Sequence, residues 1–197
     1  MTPLRPVLLF DVMETLVTEP FYEAMPNFFG MTLEELLAVK HPTSWREFET
    51  GSLTEEQFIG RFFADGRFVD RDALRRCMYD AYEWIDDMQA LLGELCAGGY
   101  AIHALSNYPS WYEMIEAKLQ LSRYLEWTFV SCLTGVRKPD VRAYRRAAES
   151  LGVSVGECLF VDDRTVNVEA AQAAGMDAIV MTDARQLRSE LQVRQLI

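Results

Sequence analysis

Short apolar runs alternate along most of the chain with segments whose apolar residues recur at helical spacing. The runs predict five strands, over residues 7–10, 100–105, 128–131, 158–161 and 178–181. The segment "PSWYEMIEAKLQL" places Trp111, Met114 and Ile115 on one helical face, and "DVRAYRRAAESLG" forms a similar face before it closes at Gly152. This alternation predicts an α/β fold with a mostly parallel sheet that is covered on both faces.

One long segment, residues 19–85, interrupts the alternation because it holds no convincing strand. Thr32 with Glu35 forms a capping-box pattern, and further helical patterns follow. We therefore predict a Rossmann-like, parallel-sheet core built from residues 1–18 and 86–197. The intervening segment forms a helical insert after the first strand.

The charge balance and the cysteine pattern narrow the class of protein. The net charge of −11 argues against a nucleic-acid surface, which needs a basic face, and no apolar run approaches the length of a membrane span. No signal-peptide pattern opens the chain. Cys77, Cys96, Cys132 and Cys158 are widely spaced, which favours free thiols in a reducing compartment over a zinc site. We expect a cytoplasmic protein, or one of the plastid stroma if the source is a plant or alga; the oligomeric state is unknown.

Polar residues follow the predicted strands, where ligands bind in parallel sheets. The set comprises Asp11, Ser106, Asn107, Lys138, Asp162, Asp163 and Asn167. A carboxylate can attack phosphorus to form an aspartyl-phosphate, and Mg²⁺ can offset the repulsion between the anionic reactants. Asp11 and Asp163 are the natural carboxylate pair for Mg²⁺, and Lys138 adds a positive charge for the intermediate.

Each of these residues also has a plainer interpretation. An aspartate at a strand end is often a helix N-cap, "SN" is a common turn, and "KPD" can start a helix. "DDR" can be a surface turn in which an aspartate pairs with Arg164. Because all the residues occur together, in this order and at these strand ends, a shared active site explains them better than separate turns and caps do.

Four stretches resemble the four motifs of the haloacid dehalogenase superfamily of hydrolases. They are "LLFDVMETLV", "HALSN", "RKPD" and "FVDDRTVN". The resemblance covers the whole predicted core, and the helical insert lies where this superfamily carries a cap domain. The longer stretches "FDVMETLVTEPFYEAMPNFFGM" and "KHPTSWREFETG" are similar to the flavin mononucleotide phosphatases and related hydrolases of plant plastids and phototrophic bacteria.

The resemblance implies a Mg²⁺-dependent phosphatase of a small phosphorylated metabolite, with a role for each matching residue. Asp11 would be the nucleophile, and Ser106 would bind the transferred phosphoryl group, aided by Asn107. Lys138 would stabilise the charged intermediate, and Asn167 would orient Lys138 or the acidic pair. The implied ligands of Mg²⁺ are Asp11, the backbone carbonyl of Met13, Asp163 and, through water, Asp162.

Met13 departs from the superfamily pattern, in which phosphatases usually have an aspartate that serves as general acid and base. A thioether cannot transfer a proton, and such help is worth about 10²–10⁴-fold in rate. Three explanations remain open. Glu14, His41 or water replaces the acid; or the enzyme breaks another bond, such as the C–P bond of a phosphonate with Lys40 as the imine-forming residue. Alternatively, the protein is a weakly active or binding-only member.

The predicted cap is rich in aromatic residues, some of which could stack against a flat ring such as an isoalloxazine. The expected substrate-binding residues are Phe21, Tyr22, His41 and Trp45, and Tyr108 and Trp111 could face the same cleft. The other interpretation is that most of the aromatic residues form the cap's own core. Flavin mononucleotide is expected as a substrate from the family resemblance and a permissive composition.

Overall fold

The computed structural model describes residues 5–197 and contains a five-stranded parallel sheet. The strands are β1 (Val7–Phe10), β2 (Ile102–Ser106), β3 (Glu126–Val130), β4 (Cys158–Asp162) and β5 (Asp177–Val180). Their order across the sheet is β3-β2-β1-β4-β5, and each neighbouring pair is parallel. The predicted α/β fold is confirmed. The predicted core segment 1–18 includes residues 1–4, which lie outside the described residues.

All five predicted strands are present, and β1 has the predicted bounds. The third strand was expected to include Ser131, which instead begins a helix. The strands β2 and β4 each run one residue further than predicted, to Ser106 and Asp162. The ladder reaches these polar residues because Ser106 is still paired with Val130, and Asp162 with Val180.

Helices connect the strands and make up most of the regular structure of the insert, which also holds an isolated antiparallel bridge between Lys40 and Phe63. The helices of the insert are α1 (Ala24–Phe29), α2 (Leu33–Val39), α3 (Ser44–Glu49), α4 (Glu55–Gly60) and α5 (Arg71–Ala81). The later helices are α6 (Met88–Ala97), α7 (Tyr112–Leu119), α8 (Ser131–Thr134), α9 (Val141–Ser150), α10 (Thr165–Ala173) and α11 (Ala184–Val193). The predicted capping box opens α2, because the Glu35 N–H donates to the Thr32 hydroxyl and the Glu35 carboxylate accepts from the Thr32 N–H. No helix within residues 5–197 has both the length and the apolar character needed to cross a bilayer.

The central strand β1 separates two apolar layers because its side chains alternate across the sheet. Leu8 and Phe10 belong to a cluster that also holds buried residues of the insert, including Met25 and Phe48. Leu9 packs on the opposite face with residues of α9 and α10. The insert therefore shares a hydrophobic core with one face of the sheet.

The two chain segments that lead into and out of the insert are hydrogen-bonded to each other. The Thr18 N–H donates to the Glu83 carbonyl at 3.0 Å, and the Glu83 N–H donates to the Thr18 hydroxyl at 3.1 Å. Val17 and Trp84 form an antiparallel bridge beside them. This pairing fixes the base of the insert close to the end of β1. The proposed boundaries of the cap, residues 19–85, stay a prediction.

A second contact between the insert and the core, which we call the seam, joins the end of α3 to the start of α8. The buried Ser131 hydroxyl donates to the Glu49 carbonyl at 2.5 Å and accepts from the Tyr108 N–H at 3.0 Å. The ring of Phe48, next to Glu49, also contacts the ring of Trp111 in the segment after β2, with centroids 5.5 Å apart. The insert is thus held against the sheet at two separate places.

The strand order determines where a ligand can bind. The chain runs outward from β1 to β2 and β3 on one side, and to β4 and β5 on the other. Parallel sheets bind ligands beyond the carboxyl ends of the strands at such a switch point. The carboxyl ends of β1, β2 and β4 therefore define the crevice in which the predicted polar residues meet.

The seam between insert and sheet gives a testable prediction at Gly51. Its φ is +72°, and an added Cβ would lie 2.5 Å from the Cys132 carbonyl oxygen. Gly66 also has a positive φ, of +70°, but an added Cβ meets nothing within 4 Å. Both Gly→Ala variants carry the backbone cost of about 1–2 kcal/mol. Gly51→Ala should lose about 1–3 kcal/mol more from overpacking.

The measurement is urea-induced unfolding of both variants beside the wild-type protein. The difference between the two alanine variants isolates the contact with α8, because the backbone cost is common to both. Equal losses of unfolding free energy would contradict a tight seam at this position.

Candidate active site

Asp11 is the first residue after β1 and is held by both its backbone and its side chain. Its N–H donates to the Val161 carbonyl at 2.9 Å, which continues the ladder between β1 and β4. Its Oδ1 accepts from the Val12 N–H at 2.7 Å and lies 2.9 Å from the Lys138 Nζ. The residue is only 7% exposed. Both contacts use Oδ1, so the side chain is fixed in orientation through one of its two oxygens.

Lys138 is a buried cation between two carboxylates. Its Nζ lies 2.9 Å from Asp11 Oδ1 and 2.6 Å from Asp162 Oδ2, and the residue is 2% exposed. Burial alone would lower the pKa of Lys138, but the charges of Asp11 and Asp162 outweigh it and raise that pKa. The amine therefore remains charged, and it neutralises part of the acidic cluster.

Asn107 positions the backbone of Lys138. Its side-chain Nδ2 donates to the Lys138 carbonyl at 2.9 Å, and its Oδ1 accepts from the Lys138 N–H at 2.7 Å. The amide therefore clamps the loop after α8 against the end of β2. One N–H of Nδ2 is left over from this clamp, because a side-chain amide carries two.

Asp162 ends β4 and has both carboxylate oxygens engaged. Oδ1 accepts from the Arg164 N–H at 2.8 Å, and Oδ2 accepts from Lys138 Nζ at 2.6 Å. Asn167, in the first turn of α10, donates its Nδ2 to both oxygens at 3.0 Å. The residue is fully buried. Asp162 therefore holds the Lys138 ammonium group in place, and Asn167 in turn holds the Asp162 carboxylate.

The carboxylates of Asp11, Asp162 and Asp163 fit a divalent cation. One oxygen from each lies within 4.8 Å of the others, and carboxylate oxygens are the ligands that Mg²⁺ prefers. Burial raises the pKa of Asp11 to about 7; Lys138 opposes the shift, and the two neighbouring aspartates add to it. Burial and Asp162 also raise the pKa of Asp163. Three acids beside one lysine leave uncompensated negative charge that a cation would balance.

Ser106, the last residue of β2, carries a buried polar atom in need of a partner. It is 2% exposed, and its Oγ makes no hydrogen bond to any described residue. A buried hydroxyl without a partner costs about 1–3 kcal/mol. An oxygen-rich ligand at the strand ends would supply the missing partner.

A cavity of about 290 Å³ lies over these residues and extends to the insert. From the strand ends it is lined by Asp11, Met13, Asn107, Lys138, Asp163 and Asn167. From the insert it is lined by Glu19, Phe21, Tyr22, Leu37, Lys40, Trp45 and Glu49. The remaining lining residues are Glu14, Arg137 and Arg164. The predicted residues Phe21, Tyr22 and Trp45 thus share one cavity with Asp11 and Lys138.

Five residues considered from the sequence lie outside the lining of this cavity. Ser106 and Asp162 are buried at the strand ends, whereas the other three make contacts elsewhere in the fold. His41 Nδ1 accepts from the Ser44 N–H at 3.2 Å, so its ring supports the start of α3. Tyr108 is buried, and its hydroxyl pairs with that of Tyr82 at 2.9 Å. Trp111 is buried and donates its Nε1–H to Glu55 at 2.6 Å. These polar groups are used within the fold, and we remove the three residues from the proposed substrate contacts.

Charged residues of the cavity that sequence reasoning missed include Glu19, Glu49 and Arg137. Arg137 lies 2.9 Å from Glu49 across the seam, and its position beside Lys138 in "RKPD" was the available signal. Glu19 begins the 3₁₀ turn Pro20–Tyr22, and burial raises its pKa to about 8. The signal for Glu19 was its place just before a proline in the segment that leaves β1.

The sequence is similar to a known protein family and to characterised relatives. Residues 6–175 match the family model of haloacid dehalogenase-like hydrolases. The chain is 48% identical over 186 residues to the chloroplast flavin mononucleotide hydrolase 1 of Arabidopsis thaliana, covering 94% of this chain and 76% of the relative. It is 35% identical over 176 residues to a sesquiterpene phosphatase of Aspergillus oryzae, covering 85% of this chain and 86% of the relative.

A solved structure is similar over nearly the same length. It is a haloacid dehalogenase family enzyme of Bacteroides thetaiotaomicron, crystallised with magnesium and inorganic phosphate. The TM-score is 0.71, and the match covers 91% of this chain and 96% of that chain. At 20% sequence identity, this likeness is one of fold.

The buried charges give a stability prediction at Lys138. Lys138→Met should lower the free energy of unfolding by about 3–5 kcal/mol, because it leaves two buried carboxylates without their cation. The double variant Lys138→Met/Asp162→Asn should recover part of that loss, because it removes one of the stranded charges. Urea-induced unfolding at neutral pH measures both.

The control is Lys118→Met, at the end of α7, which removes a lysine that forms no ion pair with any described residue and donates one hydrogen bond, to the Asp80 carbonyl at 2.7 Å. A loss at Lys138 no larger than at Lys118, or a double variant less stable than the single one, would contradict the assigned role of the buried pair.

Proposed function

The chain belongs to the haloacid dehalogenase-like hydrolase family, and on that premise we propose that it is a Mg²⁺-dependent phosphatase with Asp11 as the nucleophile. The observation that carries the proposal is the fixed carboxylate of Asp11, paired with a buried lysine at the rim of a cavity. The substrate is a small phosphorylated metabolite. We propose no nucleic-acid partner, because the net charge of −11 argues against the basic face that one needs. We also propose no membrane partner.

The residues around Asp11 supply what phosphoryl transfer to a carboxylate needs. Asp11 attacks phosphorus and forms an aspartyl-phosphate, which water then hydrolyses. Lys138 offsets the charge that collects on the transferred group. The partnerless Ser106 hydroxyl and the remaining N–H of Asn107 donate to phosphoryl oxygens.

Mg²⁺ would be held by Asp11, Asp163 and the backbone carbonyl of Met13, with Asp162 acting through water. The ion would neutralise the substrate phosphate and favour the ionised form of Asp11. Support comes from the close approach of the three carboxylates. Asp162 is also the residue that holds Lys138, so it links the metal site to the cation.

Flavin mononucleotide is the substrate that we propose. The first support is the relative of 48% identity, which is named a flavin mononucleotide hydrolase. The second is the aromatic side of the cavity, where Phe21 and Trp45 have ring centroids 6.1 Å apart and Phe21 and Tyr22 have theirs 5.7 Å apart. Aromatic faces of this kind pack well against a flat heteroaromatic ring.

A second candidate is a phosphonatase-like hydrolase, favoured by the position of Lys40. This lysine lines the cavity, its Nζ lies 5.8 Å from the centroid of the Phe21 ring, and burial lowers its pKa. An amine with a lowered pKa is a better nucleophile toward a carbonyl group. Borohydride trapping of an imine, lost in Lys40→Ala, would select this function over phosphatase activity.

The central test is phosphate release from flavin mononucleotide with Mg²⁺ and with excess chelator. Wild-type protein should release phosphate only with Mg²⁺, and Asp11→Asn should lower kcat by about 10³-fold or more, because the amide is not a nucleophile. Asp86→Asn, an exposed change of the same kind, serves as the matched control. Activity that resists both the chelator and Asp11→Asn would contradict the mechanism, and no turnover at any metal concentration would indicate a binding-only protein.

The aromatic side of the cavity gives a prediction at Tyr22, which is 59% exposed and can be truncated without opening the core. Tyr22→Ala should raise KM for flavin mononucleotide by about 3–10-fold, through the loss of one aromatic contact. KM for glycerol phosphate, which has no ring, should change much less. Tyr79→Ala, at an exposed tyrosine outside the cavity lining, is the control. Equal changes for both substrates would contradict ring recognition by Tyr22.

A further inference from the structure

The cavity contains a carboxyl group suited to the task that Met13 cannot perform. We propose that Glu19 is the general acid that protonates the leaving oxygen when the phosphate ester is cleaved. This inference rests on the phosphatase function proposed above. It assigns a catalytic role to a residue of the segment that leads from β1 into the insert.

The backbone around Glu19 holds its side chain in one place. Its Oε1 accepts from the Phe21 N–H at 3.1 Å, which makes Glu19 the cap of the 3₁₀ turn Pro20–Tyr22. Its own N–H donates to Glu14 Oε1 at 2.6 Å. The side chain is therefore anchored through one oxygen, and no described residue donates a hydrogen bond to Oε2. An anchored carboxyl with a free oxygen at a cavity wall is the geometry that proton donation requires.

The other acids that the insert and its leading segment contribute to the cavity are already engaged. Glu49 lies 2.9 Å from Arg137 and also accepts from the Trp45 Nε1–H at 3.1 Å. Glu14 is exposed, and its carboxylate accepts the N–H of Glu19. Within the described chain, Glu19 has no lysine or arginine within ion-pair distance. A carboxyl without a cationic partner is the one best able to keep its proton.

The charge environment of Glu19 supports this assignment. Burial is the main reason that the pKa of Glu19 rises to about 8; the Phe21 N–H opposes the rise, and the nearby charges of Glu14, Glu49 and Asp11 add to it. The cations that line the cavity are Lys40, Arg137, Lys138 and Arg164, and all lie beyond ion-pair distance from Glu19. The raised pKa favours the protonated form of the carboxyl, which is the form that a general acid needs.

The proposed steps balance in protons and electron pairs. Asp11 forms a bond to phosphorus, the bond from phosphorus to the ester oxygen breaks, and the proton of Glu19 moves to that oxygen to release an alcohol. Water then attacks the aspartyl-phosphate and passes a proton to the Glu19 carboxylate. The bond between Asp11 and phosphorus breaks, inorganic phosphate leaves, and both side chains return to their starting states.

The experiment compares two leaving groups in Glu19→Gln. The amide oxygen of Gln can still accept from the Phe21 N–H, so the turn is preserved. The quantity to compare is kcat/KM, because it reports the steps up to release of the alcohol and not the later hydrolysis that both substrates share. With flavin mononucleotide, a primary alkyl ester, kcat/KM should fall by about 10²–10³-fold. With p-nitrophenyl phosphate, whose leaving group departs without a proton, it should fall by less than about 10-fold. Glu23→Gln, an exposed change four residues further on and outside the cavity lining, is the matched control.

A second variant tests the same idea by rescue. In Glu19→Gln/Met13→Asp, a carboxyl is restored at the position of the thioether, and turnover of flavin mononucleotide should recover about 10-fold or more relative to Glu19→Gln. Met13→Asp alone should gain much less, because Glu19 already supplies the proton in that background. Equal gains in both backgrounds would indicate that Glu19 only supports the turn.

The possible outcomes separate this proposal from the function on which it rests. Equal losses on both substrates, or a selective loss in Glu14→Gln but not in Glu19→Gln, would overturn the role of Glu19 and leave the phosphatase intact. Absence of phosphate release from both substrates by the wild-type protein would overturn the phosphatase function itself. A selective loss in Glu19→Gln with rescue by Met13→Asp would establish the proposed role.

Discussion

The ion bridge from Asp11 through Lys138 to Asp162 is the interaction on which the rest of the site depends. Each of these charges alone would be costly to bury, and the lysine makes the group tolerable by lying within 2.9 Å of one carboxylate and 2.6 Å of the other. The bridge ties the ends of β1 and β4 to the loop after α8. A cation that must touch both acids leaves these three segments little freedom, so the Asp11 carboxylate is positioned by electrostatics as much as by the sheet.

Hydrogen bonds hold each member of this ion bridge in place. Asn107 fixes the backbone of Lys138, Asn167 fixes the carboxylate of Asp162, and the ladder between β1 and β4 fixes Asp11. The bridge still leaves the cluster with net negative charge, because no lysine or arginine among residues 5–197 forms an ion pair with Asp163. That imbalance and the partnerless Ser106 hydroxyl are both unsatisfied among the described residues at the strand ends. A metal ion and a phosphoryl group would satisfy both at once.

The sequence predicted most of the strand ends and less of the cavity wall. The five strands could be identified because apolar periodicity is local, and the polar residues at their ends converge in any parallel sheet. The insert offers no such rule. His41 and Trp45 look equally suited to a ligand, yet His41 supports a helix start and Trp45 lines the cavity. Glu19 was missed because the burial that raises its pKa exists only in the folded chain and leaves no local pattern in the sequence.

The position of Glu19 ties the proton donor to the base of the insert. The segment that carries it is paired with the returning segment through Thr18 and Glu83, and both are fixed relative to the end of β1. An acid at Met13 would belong to the loop of the nucleophile itself. Glu19 instead lies in the segment that connects β1 to the insert. Its distance from Asp11 therefore depends on how the insert packs against the sheet. The ion pair between Glu49 and Arg137 and the hydrogen bond from Ser131 to the Glu49 carbonyl fix the insert at a second place. A chain that lacks the acid beside its nucleophile therefore needs a well-fixed insert, because the same contacts that shape the cavity also place the proton.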